Sequence, residues 1–378
     1  MNQNLNILFV NSILMFAGGE IWMLTTMKEL ERRGHRVWLM CNAGTELEKR
    51  AGKLGINVMP IRLRGDLDPW SIFRIYRFLV KSRIDLILTN MEKELRLCGV
   101  AAKMAGKIPV VSRRGIDYPL KNNWRYKFTY NVLATQIVAN SESTRRSLLQ
   151  NAPWLLADRI RVIYNGIDPE FYKLEKTTDL RAALGLPPHA PIIGFVGQLN
   201  ERKGIHELLP AFSRCVRDFP TAQLLLAGDG DLREHIRQFA IQNELQGNIH
   251  IAGFRDDIPN IMRTIDMLVL PSRWEGFGIV LIEAMAAAKP VITTNISSMP
   301  EIVVHGETGL IVEARNAIEL YEAMHQLIAQ PETARQLGQN GRERILRYFT
   351  LSEMTDQYEN LFNGLVETRT FEAGKESG

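Results

Sequence analysis

Cysteine and long apolar runs are scarce in this chain. Its three cysteines, Cys41, Cys98 and Cys215, are odd in number and far apart, without a Cys-x-x-Cys pair or a histidine at metal-ligand spacing. We therefore expect three buried thiols and no structural zinc. No apolar run approaches the roughly 18 residues that span a bilayer, and the amino terminus lacks the basic and apolar segments of a signal peptide. Together these absences predict a cytoplasmic protein.

The 378 residues otherwise have an ordinary globular composition, with 46% hydrophobic and 23% charged side chains. At roughly 150 residues per domain, this length predicts two or three domains and excludes a single small binding module. Charge is uneven, because residues 1–187 carry 29 basic and 17 acidic side chains, whereas the remainder carries 17 and 25. A basic half is typical of contact with a phosphorylated acceptor, an acidic membrane or nucleic acid, and uneven solvated charge is the alternative.

Strand-length apolar runs alternate with helix-period segments twice along the chain. The predicted order is strand 7–10, helix 20–33 and strand 37–40, and later strand 192–196, helix 205–218 and strand 223–227. This α/β rhythm predicts two Rossmann-like, doubly wound domains facing a central cleft in which a ligand would bind.

Three prolines between residues 187 and 191 cannot lie inside a helix or a central strand, and we place the domain boundary there. The prediction is a first domain over 1–187 and a second domain over 188–350. Residues 351–378 form a third segment, in which an amphipathic helix over 351–367 precedes a polar tail. The apolar face of that helix must dock on another element.

Two strand-to-helix turns carry residues that suit phosphate binding. Gly18 and Gly19 directly precede the first helix, where free backbone N–H groups can approach an anion closely. In the corresponding turn of the second half, Arg202 and Lys203 precede Gly204 and can neutralise a diphosphate. A tight turn without a ligand and two solvated cations are the alternatives. Neither turn matches a dinucleotide fingerprint or a P-loop, which leaves a nicotinamide-dependent oxidoreductase without support.

The strongest signal is the segment 271–286, in which Glu275 and Glu283 flank a glycine-containing helix start. Glu275 can accept hydrogen bonds from sugar hydroxyls, the backbone of residues 276–279 can bind phosphate, and Glu283 can bind a ribose diol. One nucleotide-sugar could contact all three. The alternative is a surface acid followed by a helix acid on an outward face, although a carboxyl group in such an apolar run needs a partner.

Taken in order, these fragments resemble retaining glycosyltransferase family 4 over nearly the whole chain. The fragments are GQLNERKG at 197–204, LLLAGDG at 224–230, EGFGIVLIEAMAAAKPVI at 275–292, PEIVVHGETGLIV at 300–312 and Asn165-Gly166-Ile167-Asp168. The resemblance implies the GT-B fold, with an amino-terminal acceptor domain and a carboxy-terminal nucleotide-sugar domain. It also implies that the last helix crosses back to the first domain.

The resemblance further implies roles for individual residues. Lys203 and Arg202 would bind the donor diphosphate, and Glu275 would contact the donor sugar. The implied donor-binding residues are Gly18, Gly19, Phe254, Arg255, Gly276, Phe277, Gly278, Ile279 and Glu283. Among them, Glu283 would hold the ribose, Phe254 and Arg255 would lie near the base, and the early glycines would cover the phosphates.

No cofactor and no metal ion are implied, since cations would neutralise the leaving diphosphate. Two Asp-x-Asp triplets, at 66–68 and 229–231, have a spacing that can hold a divalent ion, but we interpret both as loop acids. The leaving diphosphate would help to deprotonate the acceptor, and the anomeric configuration would be retained.

Three departures from the family pattern affect these expectations. Gln198 stands where an arginine is common, so Arg202 would compensate for one missing phosphate cation. The histidine that often follows the strand ending near Val111 is absent. We consider Arg113 or Arg114 as a contact for the donor or for an anionic acceptor instead, and Asp117 as a contact for an acceptor hydroxyl. Ser297-Ser298 replaces a common glycine pair, from which we expect little consequence.

Two segments of the first half combine aromatic and basic residues, at 69–83 and 121–128. Either their apolar side chains pack on the sheet with the cations outward, or the segments lie on an anionic bilayer at the inner face of the cell membrane. A nucleic-acid partner is not expected, since no recognised binding motif accompanies the cations.

The sequence therefore predicts a retaining, metal-independent glycosyltransferase. Its expected partners are a nucleotide-sugar donor, with UDP favoured over GDP, and a glycan or glycolipid acceptor, with lipopolysaccharide or another envelope polysaccharide as the favoured context. A sugar-nucleotide epimerase of similar shape and a non-catalytic nucleotide-sugar-binding protein are the alternatives.

Overall fold

A computed structural model describes residues 4–63, 65–173 and 180–376 of the chain. The chain divides into two compact units. The first unit comprises residues up to Asn165 together with those from Leu351, and the second unit is Gly166–Thr350.

The first unit is built on a seven-stranded parallel sheet with the strand order β3-β2-β1-β4-β5-β6-β7. Its strands are β1 (Asn6–Asn11), β2 (Arg36–Cys41), β3 (Asn57–Pro60), β4 (Leu86–Thr89), β5 (Val110–Arg114), β6 (Gln136–Ala139) and β7 (Ile160–Val162). Its helices are α1 (Gly18–Arg32), α2 (Glu46–Lys53), α3 (Pro69–Lys81), α4 (Glu92–Met104), α5 (Trp124–Phe128), α6 (Glu142–Gln150) and the last helix, α15 (Leu351–Glu376). Short helical turns lie at Thr129–Leu133 and Ala157–Arg159.

The second unit contains a six-stranded parallel sheet with the order β10-β9-β8-β11-β12-β13. Its strands are β8 (Ile192–Val196), β9 (Gln223–Ala227), β10 (Ile249–Gly253), β11 (Met267–Leu270), β12 (Val291–Thr294) and β13 (Leu310–Val312). Its helices are α7 (Leu180–Ala183), α8 (Ile205–Asp218), α9 (Arg233–Gln242), α10 (Ile258–Thr264), α11 (Ile279–Ala286), α12 (Met299–Ile302), α13 (Ala317–Ala329) and α14 (Pro331–Tyr348). Single turns lie at Pro169–Tyr172 and Glu201–Lys203.

Both sheets confirm the predicted pair of doubly wound α/β domains. Central strands of a parallel sheet are buried on both faces, which is why β1, β4, β9 and β11 consist mainly of buried apolar residues rather than alternating patterns. In each sheet the strand order reverses beside the first strand, between β1 and β4 and between β8 and β11. Loops at the carboxyl ends of those strand pairs form a natural crevice for a ligand.

The predicted boundary between residues 187 and 188 is wrong, because the units divide after Asn165. Residues 166–173 belong to the second unit: the Ile167 N–H donates to the Phe349 carbonyl at 3.0 Å, and Tyr172 is buried against α11. The prolines from residue 187 mark a loop inside that unit, directly before β8. The predicted linker began at Asp179, which lies outside the described residues.

The last helix belongs to the first unit and extends to Glu376, beyond its predicted end at residue 367. Met354, Tyr358 and Phe362 form its buried face. The Trp22 indole N–H donates to the Met354 sulfur at 3.1 Å, and the Trp22 and Tyr358 rings lie 5.8 Å apart. The apolar face of this helix thus packs against α1.

Cys41, Cys98 and Cys215 are free, buried thiols, as predicted. Burial raises the pKa of Cys41 to about 11, so this thiol stays protonated near neutral pH. Among the described helices, none combines the length and the hydropathy that crossing a bilayer requires.

Candidate functional site

The candidate site lies at the carboxyl edge of the second sheet, where β8 and β11 are neighbours. The loop after β8 carries Arg202 and Lys203, and the loop after β11 carries Glu275. A backbone hydrogen bond joins the loops, since the Arg273 N–H donates to the Arg202 carbonyl at 2.8 Å. The two loops that the sequence analysis selected therefore form one structure at the switch point of the sheet.

Gly204 makes this close approach of the loops feasible. Its φ is +71°, and a Cβ added there would lie 1.9 Å from the Pro271 carbonyl oxygen. No side chain fits such a space, so glycine is required for packing as well as for backbone conformation. α8 begins directly after this residue.

Lys203 and Glu275 form a buried ion pair, with residue exposures of 8% and 7%. Burial alone raises the pKa of Glu275, but the Lys203 ammonium, assisted by Arg202, outweighs it, so that the pKa is lowered. Glu275 also accepts hydrogen bonds from the Gly276 N–H at 3.2 Å and from the Ser272 hydroxyl at 3.3 Å. This carboxylate is charged at neutral pH and is fixed by the ion pair and these two hydrogen bonds.

Lys203 retains binding capacity beyond this pair. An ammonium group has three N–H donors, and Glu275 is the partner of Lys203 among the described residues. Arg202 lies beside it, with its guanidinium carbon 5.1 Å from the centre of the Trp274 ring. The site therefore presents two adjacent cations that can bind further anionic oxygens.

The start of α11 adds backbone donors to the same edge. Gly278 adopts φ +80° at the amino terminus of the helix, which has no side-chain cap. The N–H groups of Ile279 and Val280, the first two residues of the helix, have no acceptor within it, whereas the Leu281 N–H donates to the Gly278 carbonyl at 2.9 Å. The preceding backbone is fixed by Ser298, whose hydroxyl donates to the Phe277 carbonyl at 3.0 Å. Ile279 and Val280 thus place backbone donors at a helix start of the kind that binds phosphate, whereas the Gly276 N–H already donates to Glu275.

Glu283 lies one turn further along α11 in an apolar environment. Burial raises its pKa to about 7, and a hydrogen bond from the Tyr172 hydroxyl partly offsets this shift. The bond measures 2.8 Å to Oε1, and the side-chain carboxyl group of Glu283 has no further hydrogen-bond partner among the described residues. Phe254 is 63% exposed after β10, while Arg255 pairs with Asp257, so these two residues lie at the carboxyl end of an outer strand of the sheet.

The remaining residues from the sequence analysis lie in the first unit. Gly18 and Gly19 form the start of α1, and a Cβ added at Gly19 would meet no atom within 4 Å. Arg113 is buried, stacks 3.6 Å from the centre of the Trp22 ring and donates to the Asn165 side chain at 2.9 Å. Burial lowers its pKa.

Arg114 is also buried and pairs with Glu92, while the Asp117 carboxylate accepts the Thr144 hydroxyl at 2.6 Å. All three proposed acceptor contacts thus have partners inside the first unit. Nothing in this geometry favours an acceptor role for them, because a buried cation that is already stacked or paired must break those contacts to reach a ligand.

The first aspartate of each Asp-x-Asp triplet is engaged in an ion pair. Asp66 pairs with Arg96 and Arg125, and Asp229 pairs with Arg233. Among the described residues, no group of three or more His, Cys, Asp and Glu side chains could hold a metal ion.

Sequence reasoning missed two contributors to the site. Ser298 was given little weight, yet it is fully buried and fixes the loop before α11, while Ser297 next to it adopts φ +47°. The departure from a glycine pair could have drawn attention to this position. Tyr172 was missed because it lies 111 residues from Glu283 in sequence.

Comparison with known proteins identifies the family. The family described as glycosyl transferases group 1 matches residues 176–344, and glycosyltransferase family 4 matches residues 16–171. An uncharacterized glycosyltransferase of Methanocaldococcus jannaschii, MJ1178, is 32% identical over 72% of this chain and 74% of its own length. The chain belongs to the family 4, group 1 glycosyltransferases.

Other proteins similar to this chain have names that indicate different functions. Alpha-maltose-1-phosphate synthase of Mycolicibacterium smegmatis is 34% identical over 59% of this chain, which spans only 62% of that enzyme. The capsular polysaccharide biosynthesis glycosyltransferase CapM of Staphylococcus aureus is 26% identical over 89% of this chain and 92% of its own length. Fold similarity reaches a TM-score of 0.84 with Anabaena Alr3699/HepE, crystallised in complex with UDP, at 23% identity over 95% of this chain and all of that one. The predicted GT-B class is confirmed in the two Rossmann-like domains of this glycosyltransferase.

Proposed function

We propose that the chain transfers a sugar, with retention of configuration and without a metal ion, from a nucleoside diphosphate donor to a hydroxyl of a glycan or glycolipid. A UDP-sugar is the preferred donor, and the cell-envelope polysaccharides, including lipopolysaccharide, are the preferred acceptor class. The observation that carries the proposal is the buried Lys203–Glu275 pair beside the uncapped start of α11.

The charges at this edge match the parts of such a donor. Lys203 and Arg202 neutralise the diphosphate as the bond to the sugar breaks, and the N–H groups at the start of α11 bind its oxygens. Glu275, held ionised by Lys203, accepts hydrogen bonds from hydroxyls of the donor sugar. Glu283 accepts from the ribose, and the exposed Phe254 ring supports the base.

The proposed transfer needs no nucleophilic side chain from the protein. The bond between the anomeric carbon and the diphosphate oxygen breaks, and the acceptor oxygen bonds to the same face of that carbon. The departing diphosphate oxygen takes the proton of the acceptor hydroxyl. Cations at the leaving group lower the barrier because negative charge builds up there in the transition state.

The names of relatives and neighbours support the donor and acceptor classes. Anabaena Alr3699/HepE binds UDP in its crystal structure, and CapM is named for capsular polysaccharide synthesis. Basic side chains outnumber acidic ones in residues 1–187, which favours an anionic acceptor or surface.

A transfer assay with UDP-sugars and envelope extracts tests the proposal. We expect UDP release that depends on the acceptor and persists in EDTA, and a product whose anomeric configuration, read by NMR, equals that of the donor. An inverted product or full loss of activity in EDTA contradicts the mechanism. Altered donor stereochemistry without an acceptor indicates an epimerase, and UDP binding without turnover indicates a binding protein.

We further propose that the first unit contacts an anionic membrane. One side of α3 is buried through Ile75 and Leu79, but Trp70 and Phe73 are 63% and 46% exposed on the same helix as exposed basic residues. Trp124 is 75% exposed on α5. Exposed aromatic rings beside cations suit the interface of an anionic bilayer.

Flotation with liposomes tests this contact. The wild-type protein should float with phosphatidylglycerol liposomes, less at high salt, and not with neutral liposomes. Replacing Trp70 and Trp124 by alanine should abolish flotation, whereas Leu156→Ala, which removes a side chain of 65% exposure elsewhere in the first unit, should not. Equal flotation of all three proteins contradicts the proposed surface.

A further inference from the structure

Tyr172 places a hydroxyl group on one oxygen of a carboxylate that the proposed function assigns to ribose recognition. It lies at the end of the turn Pro169–Tyr172 in the second unit. The Asp168 carboxylate accepts the Glu170 N–H at 3.0 Å and shapes this turn, so that Phe171 is 70% exposed while Tyr172 is 7% exposed. The turn therefore selects Tyr172 as the side chain that enters the interior.

Burial of a tyrosine requires a partner for its hydroxyl, and that partner is Glu283 Oε1 at 2.8 Å. Burial, together with the charge of Glu283, raises the pKa of Tyr172 above its usual value. The phenol therefore stays protonated and donates to the carboxylate.

The second oxygen of the same carboxylate is available. Glu283 Oε2 has no hydrogen-bond donor in the described part of the chain, and the side chain is partly exposed, whereas Ile282 and Ala284 on either side are fully buried. A carboxylate with one oxygen held and the other accessible is prepared to accept hydrogen bonds from a diol. Holding it in advance also lowers the entropy lost on binding.

We propose that Tyr172 is a positioning residue for ribose recognition: its hydroxyl holds Glu283 Oε1, so that Oε2 accepts hydrogen bonds from the ribose hydroxyls of the donor. This inference rests on the proposed function, since it presumes a nucleoside diphosphate at the β8–β11 edge. It adds that selectivity for ribose depends on a residue outside the loops that bind phosphate and sugar.

A purely structural role is the rival explanation. In that case the hydroxyl only satisfies a buried carboxyl group, and its loss would weaken folding without changing which nucleotide binds. Affinity for UDP relative to 2′,3′-dideoxy-UDP separates the two, because a general loss of folded protein affects both ligands equally. Tyr321→Phe is the matched control, since it removes a tyrosine–carboxylate hydrogen bond of 2.7 Å, to Asp218, elsewhere in the second unit.

Calorimetric titration of both nucleotides into the full chain provides the test. Wild type and Tyr321→Phe should prefer UDP by about tenfold, as expected for a hydrogen bond to a charged group. Tyr172→Phe should reduce the preference to roughly threefold or less through weaker UDP binding, with the affinity for dideoxy-UDP unchanged. Glu283→Gln should abolish the preference, and adding Tyr172→Phe to it should change nothing more, because Tyr172 acts through Glu283.

An unchanged preference in Tyr172→Phe overturns the inference. Equal affinity of the wild type for both nucleotides also overturns it, but leaves the donor site intact because UDP still binds. Failure of the wild type to bind UDP overturns the inference and the UDP donor assignment together.

Discussion

At the scale of single residues, the two glutamates of the site are in opposite electrostatic environments. The Lys203 ammonium outweighs burial and keeps the pKa of Glu275 low, whereas burial raises the pKa of Glu283 to about 7. One carboxylate is charged near neutral pH, and the other titrates there. Two acids eight positions apart thus acquire distinct chemistry from their neighbours rather than from their spacing.

Replacing Lys203 by alanine should reduce kcat/KM for sugar transfer by about 10² or more, since one cation at the leaving group is lost. It should also destabilise the fold by roughly 3 kcal/mol, because Glu275 is left as a buried, unpaired charge. Steady-state kinetics and urea unfolding measure the two effects.

Adding Glu275→Gln to Lys203→Ala separates those effects. The double variant should regain much of the lost free energy of unfolding, because the unpaired charge is gone, while transfer stays low. Recovery of transfer together with stability would show that Lys203 acts only through folding.

Glu283 should make stability depend on pH. Its pKa in the folded protein, about 7, exceeds the ordinary value of 4.5, so its contribution to stability is complete below pH 4.5 and lost as pH rises through 7. Glu283→Gln removes the titrating group. We expect the variant to gain about 2 kcal/mol relative to wild type between pH 5 and pH 8.5. Urea unfolding at both pH values measures this, and a constant difference between the proteins would contradict it.

Much of this site could be predicted at the residue scale, but not the contacts that complete it. Residue type and local spacing predict the chemistry of Lys203, Glu275 and Glu283. The fold brings Tyr172 to Glu283 from a distant part of the chain, and no local sequence pattern predicts this contact. For Arg113 the local pattern predicted a contact that the structure does not show. A basic residue at the end of a strand suggested a ligand contact, but its guanidinium group stacks on the Trp22 ring.

At the scale of elements, the site depends on how closely two loops approach. Backbone of the β8 loop touches backbone of the β11 loop at Gly204 and Pro271, and the loops share the bond between Arg273 and Arg202. A movement of either loop therefore displaces both Lys203 and Glu275.

Gly204→Ala should separate the loops, since the added Cβ would meet the Pro271 carbonyl oxygen. Gly306→Ala is its matched control, with a similar φ of +75° and no atom within 4 Å of the added Cβ. The control should lose about 1 kcal/mol for backbone conformation alone. Gly204→Ala should lose at least twice that in urea unfolding and bind UDP at least tenfold more weakly, whereas equal losses would contradict the account.

The last helix should be required for the stability of the first unit. Phe362 is fully buried on α15, so Phe362→Ala should cost roughly 3–5 kcal/mol. Amide hydrogen exchange should then rise in β1 and β2, while β8 and β11 stay protected. Asn360→Ala, at an exposed position of the same helix, is the control. Equal acceleration in both units would contradict the assignment of this helix.

Elements of the second sheet were predictable because parallel strands and amphipathic helices leave strong periodic signals. β8, α8 and β9 begin and end at the predicted residues. The proline cluster misled the domain assignment, since it marks a loop but says nothing about which unit the preceding residues pack on. The tertiary contacts of Ile167 and Tyr172 decide that question.

At the scale of the whole molecule, one topology is used twice with different chemistry. Both sheets reverse strand order beside their first strand, yet the buried Lys203–Glu275 pair lies in the second unit. The first unit instead exposes aromatic and basic side chains on α3 and α5. This division favours donor binding by the second unit and acceptor contact by the first.

Calorimetric titration of UDP in the presence of EDTA, with wild type and Lys203→Ala, tests the central claim most directly. The account predicts that UDP binds the wild type with one site per chain, and that affinity falls at least tenfold in Lys203→Ala. Absence of binding by UDP and by GDP, or equal affinity in both proteins, would contradict a nucleotide-sugar site at the β8–β11 edge.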